Sequence, residues 1–187
     1  MLFRSGARPD PDGAGIAVLR RTAPGLPRLS PLGPDQDCER RGQLKIYLIA
    51  PKNPESFWTF DRVLPSIGKR CAFPNLALPT VAGLTPAGHE VVLCDENVER
   101  IDFDTDADVV GITGFAVHKR RIFEIAEAFR RRGKLVAAGG PFATLCPEEL
   151  RGRVDVLFVG EAEYTWPRFV RGYEDGIWQP EIGRAHV

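Results

Sequence analysis

Long apolar runs are missing from this chain, and none approaches the ~20 consecutive residues that a membrane-spanning helix needs. Net charge is missing too: 25 basic residues balance 25 acidic ones, which removes the global footprint of a nucleic-acid binder. Cysteine is sparse. Cys38, Cys71, Cys94 and Cys146 form neither a CxxC pair nor a CxxxCxxC triplet, so the sequence offers no zinc knuckle and no cradle for a 4Fe–4S cluster. They read as free thiols of a reducing, cytoplasmic setting. The nucleotide signatures are absent as well. Ala50-Pro51-Lys52 is not GxGxxG, and no GxxxxGK(S/T) occurs anywhere. Histidine is scarce enough that no Ser/His/Asp or Cys/His set can be assembled from His89 and His118. No nucleophile or metal set stands out, so a self-contained enzyme is disfavoured.

What is present suits one globular domain, with 43% hydrophobic and 27% charged residues in 187. Residues 1–42 hold six prolines, six glycines and no periodic apolar stripe, which reads as a disordered leader. From residue 43 the texture changes. Five near-continuous Val/Ile/Leu runs read as strands: 44–50, 90–95, 107–113, 134–139 and 154–159. Runs of that kind, without strict alternation, belong to a parallel sheet covered on both faces. Helical patterns lie between them. The clearest spans His118–Arg132, where Ile122, Ile125, Ala126 and Phe129 recur at i, i+3, i+4 and i+7 and Gly133 supplies the stop. Others cover Pro79–Ala87, Pro147–Arg153 and Tyr164–Tyr173. The alternation predicts a doubly wound α/β domain over 43–176, with a five-stranded, mainly parallel sheet in flavodoxin-like (Rossmann-like) order. Residues 53–78 form a long insertion containing Phe57, Trp58 and Phe60. Residues 177–187 read as the start of a linker and a non-native tail. Ile182–Val187 looks like a translated sequencing adapter, which sets His186 aside and leads us to expect that the native chain continues; a genuine linker is the plainer alternative.

In an open parallel sheet, ligands sit beyond the carboxyl ends of the strands. Five segments share that rim, and their candidate cofactor-binding residues are Pro51, Asn53, Asn97, Thr113, Gly114, Phe115, Gly139, Gly140, Pro141, Gly160, Glu161 and Glu163. Glycine and small polar groups there let a ligand approach the backbone closely. Taken singly, each glycine could equally serve a tight strand-to-helix turn. Glu161 and Glu163 read more simply as solvated or capping groups than as acid–base catalysts. His118 opens the clearest helix, where a cap or a solvated side chain is the plain reading and a metal ligand the sharper one. Lys119, Arg120 and Arg121 follow at the end of the helix that disfavours cations. They read as a solvated face or as partners of a cofactor phosphate.

The order of motifs resembles the N-terminal cobalamin-binding domain of cobalamin-dependent radical S-adenosylmethionine enzymes of the class B methyltransferase type. The residues that carry the resemblance are Ala87-Gly88-His89-Glu90-Val91 with Asp95-Glu96-Asn97, then Ala107 to Thr113. Gly139-Gly140-Pro141-Phe142-Ala143-Thr144, Pro147-Glu148-Glu149 and Val159-Gly160-Glu161-Ala162-Glu163 complete it. Phe57-Trp58-Thr59-Phe60 with Phe73-Pro74 is similar to the hopanoid-methylase-like branch. By position, the resemblance implies that Thr113, Gly139 and Gly140 border the cofactor's nucleotide tail. One departure stands out. Where the DxHxxG motif would place a cobalt-ligating histidine, the sequence has Pro51-Lys52-Asn53-Pro54-Glu55-Ser56. The expectation is cobalamin without a histidine ligand, or lost binding.

The resemblance further implies a radical S-adenosylmethionine barrel in cis, with its 4Fe–4S cluster and S-adenosylmethionine, in a part missing from this chain. The fragment would then hold cobalamin as a methyl carrier for that methyltransferase and would be inactive alone. The competing readings are the same fold with a flavin or nucleotide, and a degenerate interaction module with an empty crevice.

Overall fold

Each central strand carries two apolar stripes, and this dictates the architecture. In β2 (Lys45–Ala50), Tyr47 and Ile49 enter one core while Ile46, Leu48 and Ala50 enter another. A strand buried on both faces must lie inside a sheet covered on both faces. The computed structural model describes residues 43–56, 59–60 and 62–183, with the backbone of Val18–Leu19. Apart from that dipeptide the expected leader lies outside the described residues, as do Phe57, Trp58 and the tail from 184, including His186.

Seven strands form one sheet: β1 (Val18–Leu19), β2, β3 (Glu90–Asp95), β4 (Val109–Thr113), β5 (Leu135–Gly139), β6 (Val156–Phe158) and β7 (Glu181–Ile182). Their spatial order is β1-β3-β2-β4-β5-β6-β7. The five expected strands are parallel and run 2-1-3-4-5 when counted from β2, which is the flavodoxin-like order. The count differs from expectation only at the edges. Two dipeptides too short to show a pattern add β1, antiparallel to β3, and β7, parallel to β6.

Helices α1 (Ala77–Leu84) and α5 (Ala162–Glu174) cover one face. There Leu78, Trp166, Phe169 and Val170 meet Leu48, Val109, Ala137 and Phe158. Helix α2 (Lys119–Arg131), with the short α3 (Pro141–Leu145) and α4 (Pro147–Leu150), covers the other. The predicted stripe of α2 is its buried face: Ile122, Ile125, Ala126 and Phe129 are each 2% exposed or less. Phe129 meets Tyr47 edge-on, with ring centroids 6.2 Å apart. α1 begins at Ala77, earlier than the spacing predicts, and it ends early because Pro86 drives Thr85 to an extended conformation and stops the helix at Leu84. The buried Thr85 hydroxyl then accepts from Trp166 Nε1 at 2.9 Å, tying α1 to α5. Among the described residues no helix is long and apolar enough to cross a membrane.

Phe129 is fully buried between the sheet and Phe103. Phe129→Ala should therefore cost about 3–5 kcal/mol. The expected reading in a urea titration is a lower midpoint with an unchanged slope.

Candidate functional site

The parallel register aligns the carboxyl ends of the strands, and so decides which loops meet. Ala50 pairs with Asp95, Ile49 with Ile112, and Thr113 with Gly139. Past Thr113 and Gly139 the chain has almost no side-chain bulk. Gly140 adopts φ +86°, and a Cβ added there would lie 2.4 Å from Thr113 Oγ1. Only glycine fits this turn. Gly139 differs: its φ is ordinary, and an added Cβ would make normal contact with Phe158 Cβ at 3.4 Å. Two residues back on β4, an added Cβ on Gly111 would press on Leu48 Cδ2 at 2.7 Å. These positions floor a narrow groove that opens to solvent. Ala77, Leu78 and Val81 of α1 line one wall and Ala162 and Trp166 of α5 the other. Thr144 braces the mouth by donating its hydroxyl to Gly140 O and accepting from Gly160 N–H, both at 3.0 Å.

The other half of the rim is polar. Lys52 N–H donates to Glu96 Oε2, and Asn53 N–H donates to Asn97 Oδ1, both at 2.9 Å. Asn97 is itself held by Asp95 Oδ1 through its backbone N–H and its Nδ2. His118 is only 6% exposed. Its Nδ1 accepts from Phe115 N–H at 3.0 Å, and its Nε2 faces Asn53 Oδ1 at 2.8 Å. An accepting Nδ1 leaves Nε2 as the protonated nitrogen of the neutral ring. Burial pushes the imidazole pKa below the ordinary histidine value, against the weaker pull of Asp95.

Of the expected residues, Thr113, Gly139, Gly140 and Gly160 line the groove, while Pro51, Asn53 and Asn97 lie on the polar half. Gly114 joins the two, since Phe142 N–H donates to its carbonyl and an added Cβ would sit 3.1 Å from His118 Nδ1. Phe115 is exposed beside them, and Pro141 opens α3. Glu161 and Glu163 are exposed at the start of α5, where carboxylates suit the helix dipole, and neither lines the groove. His118 is a cap. The three cations behind it are each matched by a carboxylate: Lys119 by Glu149, Arg120 by Glu124, and Arg121 by Glu96 and Glu124. That pairing disfavours the phosphate reading. Burial pushes the Cys94 thiol up to about 12, which leaves it unreactive. Sequence reasoning missed Gly111, Thr144 and the α1 and α5 walls. Only Gly111 carried a signal, as a lone glycine inside a strand.

A histidine kept neutral by folding stabilises the fold above its unfolded pKa, and that contribution is lost as pH falls toward the folded value. Thermal stability should therefore drop as pH is lowered from about 7.5 through about 6.5 and below. His118→Gln should flatten that part of the slope in melting curves taken at each pH.

Comparison with known proteins adds to this geometry. The chain is 38% identical over 136 residues to an uncharacterized methyltransferase of Synechocystis sp., covering 71% of this chain and 25% of that protein. It is 41% identical over 93 residues to the bacteriochlorophyllide d C-8(2)-methyltransferase of Chlorobaculum tepidum, covering 49% and 21%. With the hopanoid C-2 methylase of Rhodopseudomonas palustris it shares 29% over 120 residues, covering 63% and 23%. The chain thus spans about a quarter of the length of these curated relatives. The B12 binding domain model matches residues 72–170, more than half of the chain. That span contains every groove-lining position except Leu48. The glycine floor and the two helical walls above it are thus features of a chain that belongs to the B12-binding domain family.

Proposed function

We propose that this chain holds cobalamin as the methyl carrier of a methyltransferase, whose radical S-adenosylmethionine barrel, with its 4Fe–4S cluster, lies outside the chain. The observation that carries the reading is the side-chain-free floor at Gly111, Gly139 and Gly140 beside Thr113, walled by α1 and α5. Glycine at 111 and 140 lets Leu48 and Thr113 pack closely under the groove, and the small residues along it leave a narrow slot between sheet and helices. In this reading the slot takes the nucleotide tail, and the corrin lies over the rim. Bound cobalamin supplies a cobalt atom able to carry a methyl group. The chain's own part is to bind and orient it. The loop after β2 offers Asn53 and no histidine, and His118 is committed to Phe115 and Asn53. We therefore expect no imidazole from this chain on cobalt. Membership of the B12 family and the methyltransferase relatives support the reading.

Mixing the chain with hydroxocobalamin, followed by gel filtration, should give a co-eluting corrinoid visible spectrum. Gly139→Ala should stay folded, because its new Cβ meets only an ordinary contact. Gly139→Leu should fill the slot and weaken uptake about a hundredfold, or about 2.7 kcal/mol. Purification with a flavin spectrum, or unchanged uptake by Gly139→Leu, would overturn the reading.

A further inference from the structure

In flavodoxin-like order the chain reverses its winding between β2 and β4, and the crevice opens at that switch point. Asn53 and His118 meet there, 65 residues apart in sequence. His118 Nδ1 accepts from Phe115 N–H, so Nε2 must be the donor toward Asn53. The Asn53 atom 2.8 Å away is therefore its carbonyl Oδ1, and the opposite orientation of the amide is excluded. The Asn53 backbone N–H is already taken by Asn97 Oδ1. What remains is the side-chain NH2, which has no hydrogen-bond partner among the described residues. Since no buried side-chain nitrogen or oxygen among those residues lacks a partner, this NH2 reaches solvent.

A donor held in one direction at a ligand crevice selects an acceptor. We propose that the Asn53 NH2 donates to an amide carbonyl on the periphery of the bound corrin ring, and that His118 is the positioning residue that aims it. The inference rests on the cobalamin reading above and deepens it. Asn53 does not line the groove assigned to the nucleotide tail, so its partner belongs to the macrocycle. Gly114 joins the two subsites, with Thr113 on one side and His118 packed against it on the other.

The test uses two probes on the 187-residue chain: hydroxocobalamin and cobinamide, a corrinoid that keeps the ring amides and lacks the nucleotide. Asn53→Asp replaces the donor with an acceptor and should weaken both probes about three- to tenfold. Gly139→Leu should weaken hydroxocobalamin alone. His118→Phe should match Asn53→Asp and add nothing to it in the double variant, while His118→Gln, which keeps a donor, should restore most of the affinity. In 15N spectra of the wild-type chain the Asn53 side-chain NH2 signals should move when cobinamide is added, and in His118→Phe they should not. Cobinamide uptake with unmoved Asn53 signals, or an Asn53→Asp loss confined to hydroxocobalamin, would overturn the assignment and leave the cobalamin reading standing. Absence of any corrinoid uptake by the wild type would remove both.

Discussion

Between Thr113 and Gly140 there is room for a hydroxyl and for nothing else, and the rest of the crevice follows from that approach. Strands β4 and β5 end in register at Thr113 and Gly139, and the next residue must turn away at once to begin α3. Gly140 does so at φ +86°, a conformation that strains any other residue, with its α-carbon facing the Thr113 oxygen. The turn brings Phe142 N–H onto Gly114 O, and it brings the Thr144 hydroxyl between Gly140 and Gly160. Three successive strand exits are thereby locked to one another. A side chain at 140 would break the turn, the brace and the mouth of the groove together.

The rim divides into two chemical halves. Toward α1 and α5 it is an apolar slot, floored by glycine and alanine and closed by Leu48, Phe158 and Trp166. Toward β2 and β3 it is a lattice of neutral and paired groups. Carboxylates match Lys119, Arg120 and Arg121, and the histidine at its centre is held neutral. One half of the crevice thus offers shape and the other directed hydrogen bonds.

The parts legible in the sequence are those governed by local chemistry. Continuous burial on two faces wrote the five central strands into their Val/Ile/Leu runs, and the 3.6-residue stripe wrote α2. Gly140 was legible because a backbone that must turn at positive φ admits little else. The illegible parts are all long-range. Nothing near Ala77 or Trp166 says that α1 and α5 close over Gly111, and nothing near Asn53 says that it meets His118. The pairing of Arg121 with Glu96 spans 25 residues, so nothing near Arg121 in the sequence shows what matches its charge. The two edge strands were missed because two residues show no period.

Gly114 is where these considerations converge. Its carbonyl receives Phe142 N–H from the α3 side, while the space where its side chain would lie is filled by Ile122 and His118 from the α2 side. Gly114 thus lies between Thr113, which lines the apolar slot, and His118 of the polar lattice, with no side chain to yield and with neighbours that are themselves buried. Close-packed interiors transmit displacement and absorb little of it. Little slack therefore separates the slot from the Asn53 side at this residue.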